Sequence, residues 1–159
     1  MLRLTTSFFT WAGRIALLVG LLAVSAGPVA ATQPRDVTIE AHTEPGCPLS
    51  TSCVFTATGA ITDSGTVTLD FVRATALPSP IVGTAQYVRT FHGSAGSFTI
   101  LLNSMITGTD DPTLADEQGH WLIVSGTGAY AEVLGQGTES GIRDFANQSL
   151  DAVYTGQVH

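Results

Sequence analysis

The stretch Ser125–Thr138 reads SGTGAYAEVLGQGT and follows the apolar run Trp121-Leu122-Ile123-Val124. A strand that ends in such glycines is compatible with two architectures. Gly126-Thr127-Gly128-Ala129-Tyr130-Ala131 matches G-x-G-x-x-A, the phosphate-binding turn of a dinucleotide fold. The same residues suit a glycine-rich turn between two barrel strands. The dinucleotide reading needs a crossover helix after the turn and then a parallel strand, and the crossover takes about a dozen residues. Gly135 and Gly137 arrive too soon, leaving only 129–134 for a helix. A barrel turn is therefore expected. Gly126 and Gly128 would take positive backbone angles, and Gly135 and Gly137 would complete the turn. Tyr130 and Leu134, four apart on a one-turn helix, would plug one side of the barrel.

The flanking sequence alternates with period two. Val37, Ile39 and Ala41 share a face, and Val54 to Gly59 alternates with threonines. Asp63-Ser64-Gly65 is a turn by residue type; beyond it Val67, Leu69 and Phe71 oppose Thr66, Thr68 and Asp70. Pro78-Ser79-Pro80 breaks the chain. A strand over 81–91 then carries Tyr87, Arg89 and Phe91 on one face, and Phe98, Ile100 and Leu102 share a face of the next. Residues 107–119 form the most polar loop. Strands follow at 120–125, 136–143 and 149–158. Eight short strands with no helical pattern between them predict an all-β fold, an eight-stranded antiparallel barrel. A last strand that pairs with the first would close it and remove its edges.

Residues 1–31 stand apart. Arg3 and Arg14, the apolar run 15–24 and the ending Val29-Ala30-Ala31 describe an export signal. The run is short of the ~20 residues of a membrane span. Cleavage is expected after Ala31, with a retained N-terminal anchor as the alternative, and no cysteine offers a lipid attachment point. The remaining 128 residues form the single barrel domain, secreted or held in the cell envelope. They keep four arginines against all thirteen acids, a formal charge of −9, and the chain has no lysine. The missing amine excludes a Walker-type phosphate loop, a Schiff base and a Ser-Lys hydrolase. So acidic a surface disfavours nucleic acid and anionic lipid, whose binding needs cations. After cleavage no membrane association is expected.

Cys47 and Cys53 enclose a turn-rich segment in the exported part, where thiols oxidise. A disulfide stapling a loop between two strands is expected, worth about 2–3 kcal/mol at most for so small a ring. A metal site built from both thiolates and His42 offers only three of the four ligands zinc prefers.

The run from Trp121 through Gly126-Thr127-Gly128-Ala129-Tyr130 to Gly135-Gln136-Gly137, with Tyr154-Thr155-Gly156 near the C-terminus, resembles the allene oxide cyclase and dirigent barrel superfamily. It is most similar to exported bacterial chains of that type. The likeness is good over 119–159, loose over 54–106 (Phe91, Gly93, Gly96, Phe98) and absent over 32–53. It implies an eight-stranded barrel around a hydrophobic cavity. Characterised members guide cyclisation or radical coupling of small apolar molecules, often as trimers or dimers. The matching motif is structural, and no catalytic residue of the family maps onto this chain.

No nucleophile elbow, H-E-x-x-H or second cysteine pair is present. His42, His92, His120 and His159 are dispersed, each best read as solvated or locally bonded. Asp110, Asp111, Asp116 and Glu117 crowd one loop, which reads as solvated surface or a weak cation site without EF-hand spacing. Asn147-Gln148-Ser149 matches a glycosylation triplet. Tyr87, Arg89, Trp121, Tyr130 and Tyr154 are the residues suited to line a cavity, where an inward Arg89 would orient an anionic ligand or stabilise developing negative charge. The plainer reading, aromatics as core and Arg89 in solvent, is favoured by residue type.

The expectation is thus a barrel that binds a small apolar molecule or serves a structural role, without cofactor, metal or catalytic residues. A cyclase- or dirigent-type enzyme and a cell-surface interaction module are the alternatives, and homo-oligomerisation is left open. The export reading has a direct check: N-terminal sequencing of the exported protein should begin at Thr32, whereas an intact Met1 would indicate a retained anchor.

Overall fold

A computed structural model describes residues 33–44, 53–77 and 82–159. The expected leader, Cys47 and the Pro78–Pro80 break lie outside the described residues. Eight strands run in chain order: β1 Arg35–Thr43, β2 Val54–Gly59, β3 Asp63–Leu77, β4 Val82–Gly93, β5 Ser97–Gly108, β6 Leu114–Gly126, β7 Gly135–Asp144 and β8 Ser149–Val158. Each pairs antiparallel with the next, and β1 pairs with β8 from Arg35↔Val158 to Thr43↔Leu150. The barrel is closed, with β2 meeting β3 over Asp63–Thr66 while β3 runs on against β4 to Leu77.

Alternation decides what lies inside. Val37, Ile39 and Ala41 of β1, Phe55 and Ala57 of β2, and Phe91, Phe98, Ile100 and Leu102 of β4 and β5 are buried. The hydroxyl-rich residues between them face out. In β3 Val67 is buried and Leu69 is exposed, and the register with β4 shifts between Leu69 and Phe71. The sequence pattern assumes unbroken alternation there, and a bulge resets it.

Aromatic side chains fill the end of the barrel nearest the 93–97 and 126–135 connections. Phe91 and Phe98 stack at 4.9 Å, and Phe55 meets both edge-on at 5.2 and 6.0 Å. Tyr130 closes that end with its ring edge-on to Phe98 at 5.5 Å. Its hydroxyl donates to Asp63 at 2.8 Å. The same carboxylate accepts from the Ser94 and Ala95 backbone N–H groups at 3.0 and 3.1 Å. One side chain thus joins three connections of the barrel. The Ala95 N–H, then the Tyr130 hydroxyl and the Ser94 N–H, hold the Asp63 carboxyl well below the usual carboxylate range.

The opening motif is a barrel turn, with corrections in detail. Its helical part is a 3-10 turn at Gly128–Tyr130, shorter than the expected 129–134. Tyr130 plugs the barrel, but Leu134 is exposed and does not. A turn of three residues cannot set side chains four apart on one face. Gly128 has φ +59°, whereas Gly126 does not have a positive φ. Gly126 is required for room: an added Cβ would overlap the Tyr130 carbonyl oxygen. Gly135 and Gly137 belong to β7 and not to the turn. Gly137 pairs with Trp121 on one side and Gly156 on the other. The bare backbone there makes the slot that holds the Trp121 indole, whose Nε1 donates to the Thr138 carbonyl at 3.0 Å.

The polar segment 107–119 is not one loop. Only Thr109–Thr113 connects β5 to β6, and β6 already runs from Leu114. Residue type misleads here because the outward positions Asp116 and Gln118 are polar and one inward position is Glu117.

A Cβ at Gly156 would overlap the Gln136 carbonyl oxygen and lie 2.7 Å from Trp121 Cζ2. Gly156→Ala should therefore lower stability by about 1–3 kcal/mol, measurable by urea unfolding with tryptophan fluorescence.

Candidate functional site

The inward faces carry ionisable residues as well as rings. On β4 the alternation that buries Phe91 also turns Arg89 and Tyr87 inward, and Arg89 is 2 % exposed. The favoured reading of Arg89 as a solvent-facing residue is therefore corrected. It lies inside because it shares the parity of two aromatic neighbours, Tyr87 and Phe91, whose face is the barrel interior. On β6 and β7 the same period brings in Glu117, at 0 %, and Glu139, at 2 % exposure. Ala85, Ser104, Gly119, Glu139 and Tyr154 are register partners across five successive strands. Arg143 follows Glu139 by four residues on β7 and keeps 19 % of its side chain exposed.

These groups form a partly satisfied network. Arg143 donates to Glu117 Oε2 through Nε at 2.9 Å and Nη2 at 2.6 Å. Ser104 Oγ donates to Glu117 Oε1 at 2.7 Å, so both oxygens of this dry carboxylate are bonded. Arg143 Nη2 also donates to the Tyr87 hydroxyl at 2.9 Å. The Arg143 and Arg89 guanidinium carbons lie 5.7 and 4.9 Å from the Tyr87 ring centre, within cation–π range. Arg89 Nη1 donates to the Tyr154 hydroxyl at 2.9 Å. Three buried atoms have no partner among the described residues: Arg89 Nε and both carboxyl oxygens of Glu139.

The electrostatics follow from that arrangement. Burial, then the nearby Glu117 charge, pushes the Glu139 carboxyl up to about 8, and Arg89 and Arg143 only partly oppose this. Burial likewise raises Tyr87 and Tyr154 to about 12. Burial pulls Arg143 down, but Glu117 and the Tyr87 hydroxyl outweigh it and the net shift is upward. At neutral pH the Glu139 carboxyl therefore keeps its proton. Chemically the interior can donate hydrogen bonds from Arg89 and Glu139 to an oxygen acceptor, or release the Glu139 proton to a base.

Of the five residues suited to a cavity, Tyr87, Arg89 and Tyr154 meet in this network. Trp121 lies in its glycine slot, and Tyr130 closes the aromatic end. Tyr154 bridges the two halves, with its ring edge-on to Phe91 at 5.8 Å and its hydroxyl on Arg89. Sequence reading missed Ser104, Glu117, Glu139 and Arg143. A signal was present: the period that groups Trp121 with Ile123 reaches back through Gly119 to Glu117. The four crowded acids do not converge, since Asp110, Asp111 and Asp116 are exposed while Glu117 points inward. Among the described residues no group of His, Cys, Asp and Glu could hold a metal ion. The histidines stay apart: His92, His120 and His159 are exposed, and His42 Nδ1 bonds Asp151 at 2.5 Å. Cys53 is fully buried. Comparison with protein-family models, curated proteins and solved structures returns no match to this chain.

Two measurements follow from the network. Arg143→Ala strands the Glu117 charge and should cost about 3–5 kcal/mol of stability. Glu139 has its folded pKa raised from 4.5 to about 8, so the native state keeps a proton that the unfolded chain releases above about pH 4.5. Its contribution is full below that pH and is lost as pH rises through 8, a decline on the order of 4 kcal/mol. Urea unfolding at pH 5 and pH 8 should show the decline in the parent protein and its absence in Glu139→Gln, which stays neutral.

Proposed function

We propose that this chain is an exported, non-catalytic barrel that binds a small, largely apolar molecule through one polar head group. The observation that carries the reading is the unpartnered Glu139 carboxyl together with the unpartnered Arg89 Nε in one closed interior. Buried polar atoms are bonded in about nine cases of ten, and leaving one unbonded costs about 1–3 kcal/mol. A carbonyl or hydroxyl oxygen brought by a ligand would accept from both groups. The apolar remainder of such a ligand matches the rings and aliphatic side chains that adjoin the network. The leader-like composition of 1–31 and the resemblance over 119–159 support the export and the binding-barrel class.

A second reading has its own support. A carboxyl with a pKa of about 8 opposite Tyr154 is a proton donor near neutral pH, which suits a cyclase- or dirigent-type enzyme.

Native mass spectrometry of the protein purified from its source tests both. A retained molecule with an oxygen function is expected, and Glu139→Gln should still retain it, because the amide also donates. Conversion of that molecule to a second mass at neutral pH, lost in Glu139→Gln, would favour the enzyme. A ligand-free protein whose Glu139 and Arg89 bond only ordered water in a high-resolution crystal structure would leave a structural role.

A further inference from the structure

The outer wall of β4–β8 carries chemistry that the interior reading does not use. Gln86, Asn103, His120 and Thr138 are in register across β4, β5, β6 and β7 and point outward as one ridge. Shallow clefts of about 680 and 670 Å³ flank it, and Asn103, His120 and Thr138 border both. Gln118 and Met105 extend the first cleft; Gln136, Gln157 and Leu122 extend the second.

We propose that this face is a binding site for a neutral polyhydroxylated ligand of the oligosaccharide class. Three features argue for that chemistry. First, the face carries little charge on an otherwise acidic chain: the buried Glu139 is the one acid lining the first cleft, none lines the second, and Arg73 stands on the far border of the first. An ionic ligand gains little there. Second, carboxamides and an imidazole both donate and accept, as sugar hydroxyls do. Gln86 Nε2 donates to Asn103 Oδ1 at 2.9 Å, which fixes both amides and leaves Asn103 Nδ2 and Gln86 Oε1 free to face a ligand. The side chains of His120, Gln118 and Gln136 make no hydrogen bond to other described residues. Third, the exposed Met105 and Leu122 side chains offer apolar contact to the C–H face of a pyranose. A peptide added as a strand is not an alternative occupant, because the strands beneath this face are each paired to a neighbour on both sides.

The full exported chain, labelled for NMR, would be titrated with neutral malto-, cello-, manno- and chito-hexaose to about 10 mM, a range that detects millimolar affinity. Saturable shifts confined to the outward residues of β4–β8 are expected for at least one sugar. Asn103→Ala and His120→Ala, both at exposed sites, should each weaken that sugar about tenfold or more while leaving the thermal melt unchanged. Asn147→Ala, in the far β7–β8 connection, should not weaken it. No saturable shift with any of the four sugars would overturn the proposal. So would sedimentation showing a dimer that His120→Glu dissociates, which would give the face to a second copy of the chain.

Discussion

The ladder between β1 and β8 is the constraint on which everything else rests. It joins residues more than a hundred positions apart and turns a curved sheet into a barrel. Without it the inward side chains of β1 and β8 would form the exposed flank of an open sheet. With it, each strand has one face in water and one face in a closed interior. The period-two pattern then becomes a rule for which groups lose their hydration. Asp63 and Tyr130 secure the same closure at one end by tying three connections together.

Closure also sets the electrostatic problem. A side chain of inward parity goes inside whatever its chemistry, so Arg89, Glu117 and Glu139 are taken out of water with the phenylalanines. The barrel answers in two ways. Glu117 has both its oxygens bonded, by Arg143 and by Ser104. Glu139 has no such partner, and the neutral acid is the form its surroundings favour. Buried ion pairs are weak contributors to stability compared with well-packed apolar residues. Such a network is not the most stable way to fill a barrel, which is the physical ground on which we propose a binding role for it.

Much of the architecture was legible because it depends on local pattern. The close spacing of Gly126, Gly128, Gly135 and Gly137 ruled out a crossover helix, and alternation located eight strands. The errors arose where local pattern and tertiary position part company. Asp110 to Glu117 looks like a solvated loop because composition dominates its appearance, yet β6 begins at Leu114 and carries Glu117 inside. Leu134 looks like a plug by hydrophobicity, yet the turn before it is too short to direct it inward. The bulge after Leu69 leaves no mark in the sequence.

What the sequence by itself determined is the strand period and hence the all-β barrel, because these follow from backbone preferences within a few residues; turn positions were less secure, since Asp63-Ser64-Gly65 reads as a turn yet opens β3. It determined parity too: Tyr87, Arg89 and Phe91 share a face whatever the fold. Which parity faces inward was decided only in three dimensions, because periodicity has no sign until the barrel closes. The pairing of Arg143 with Glu117, and the isolation of Glu139 beside Arg89, depend on the registers of five strands at once. No local feature of the chain carries that information, and the candidate site therefore appears only in the folded structure.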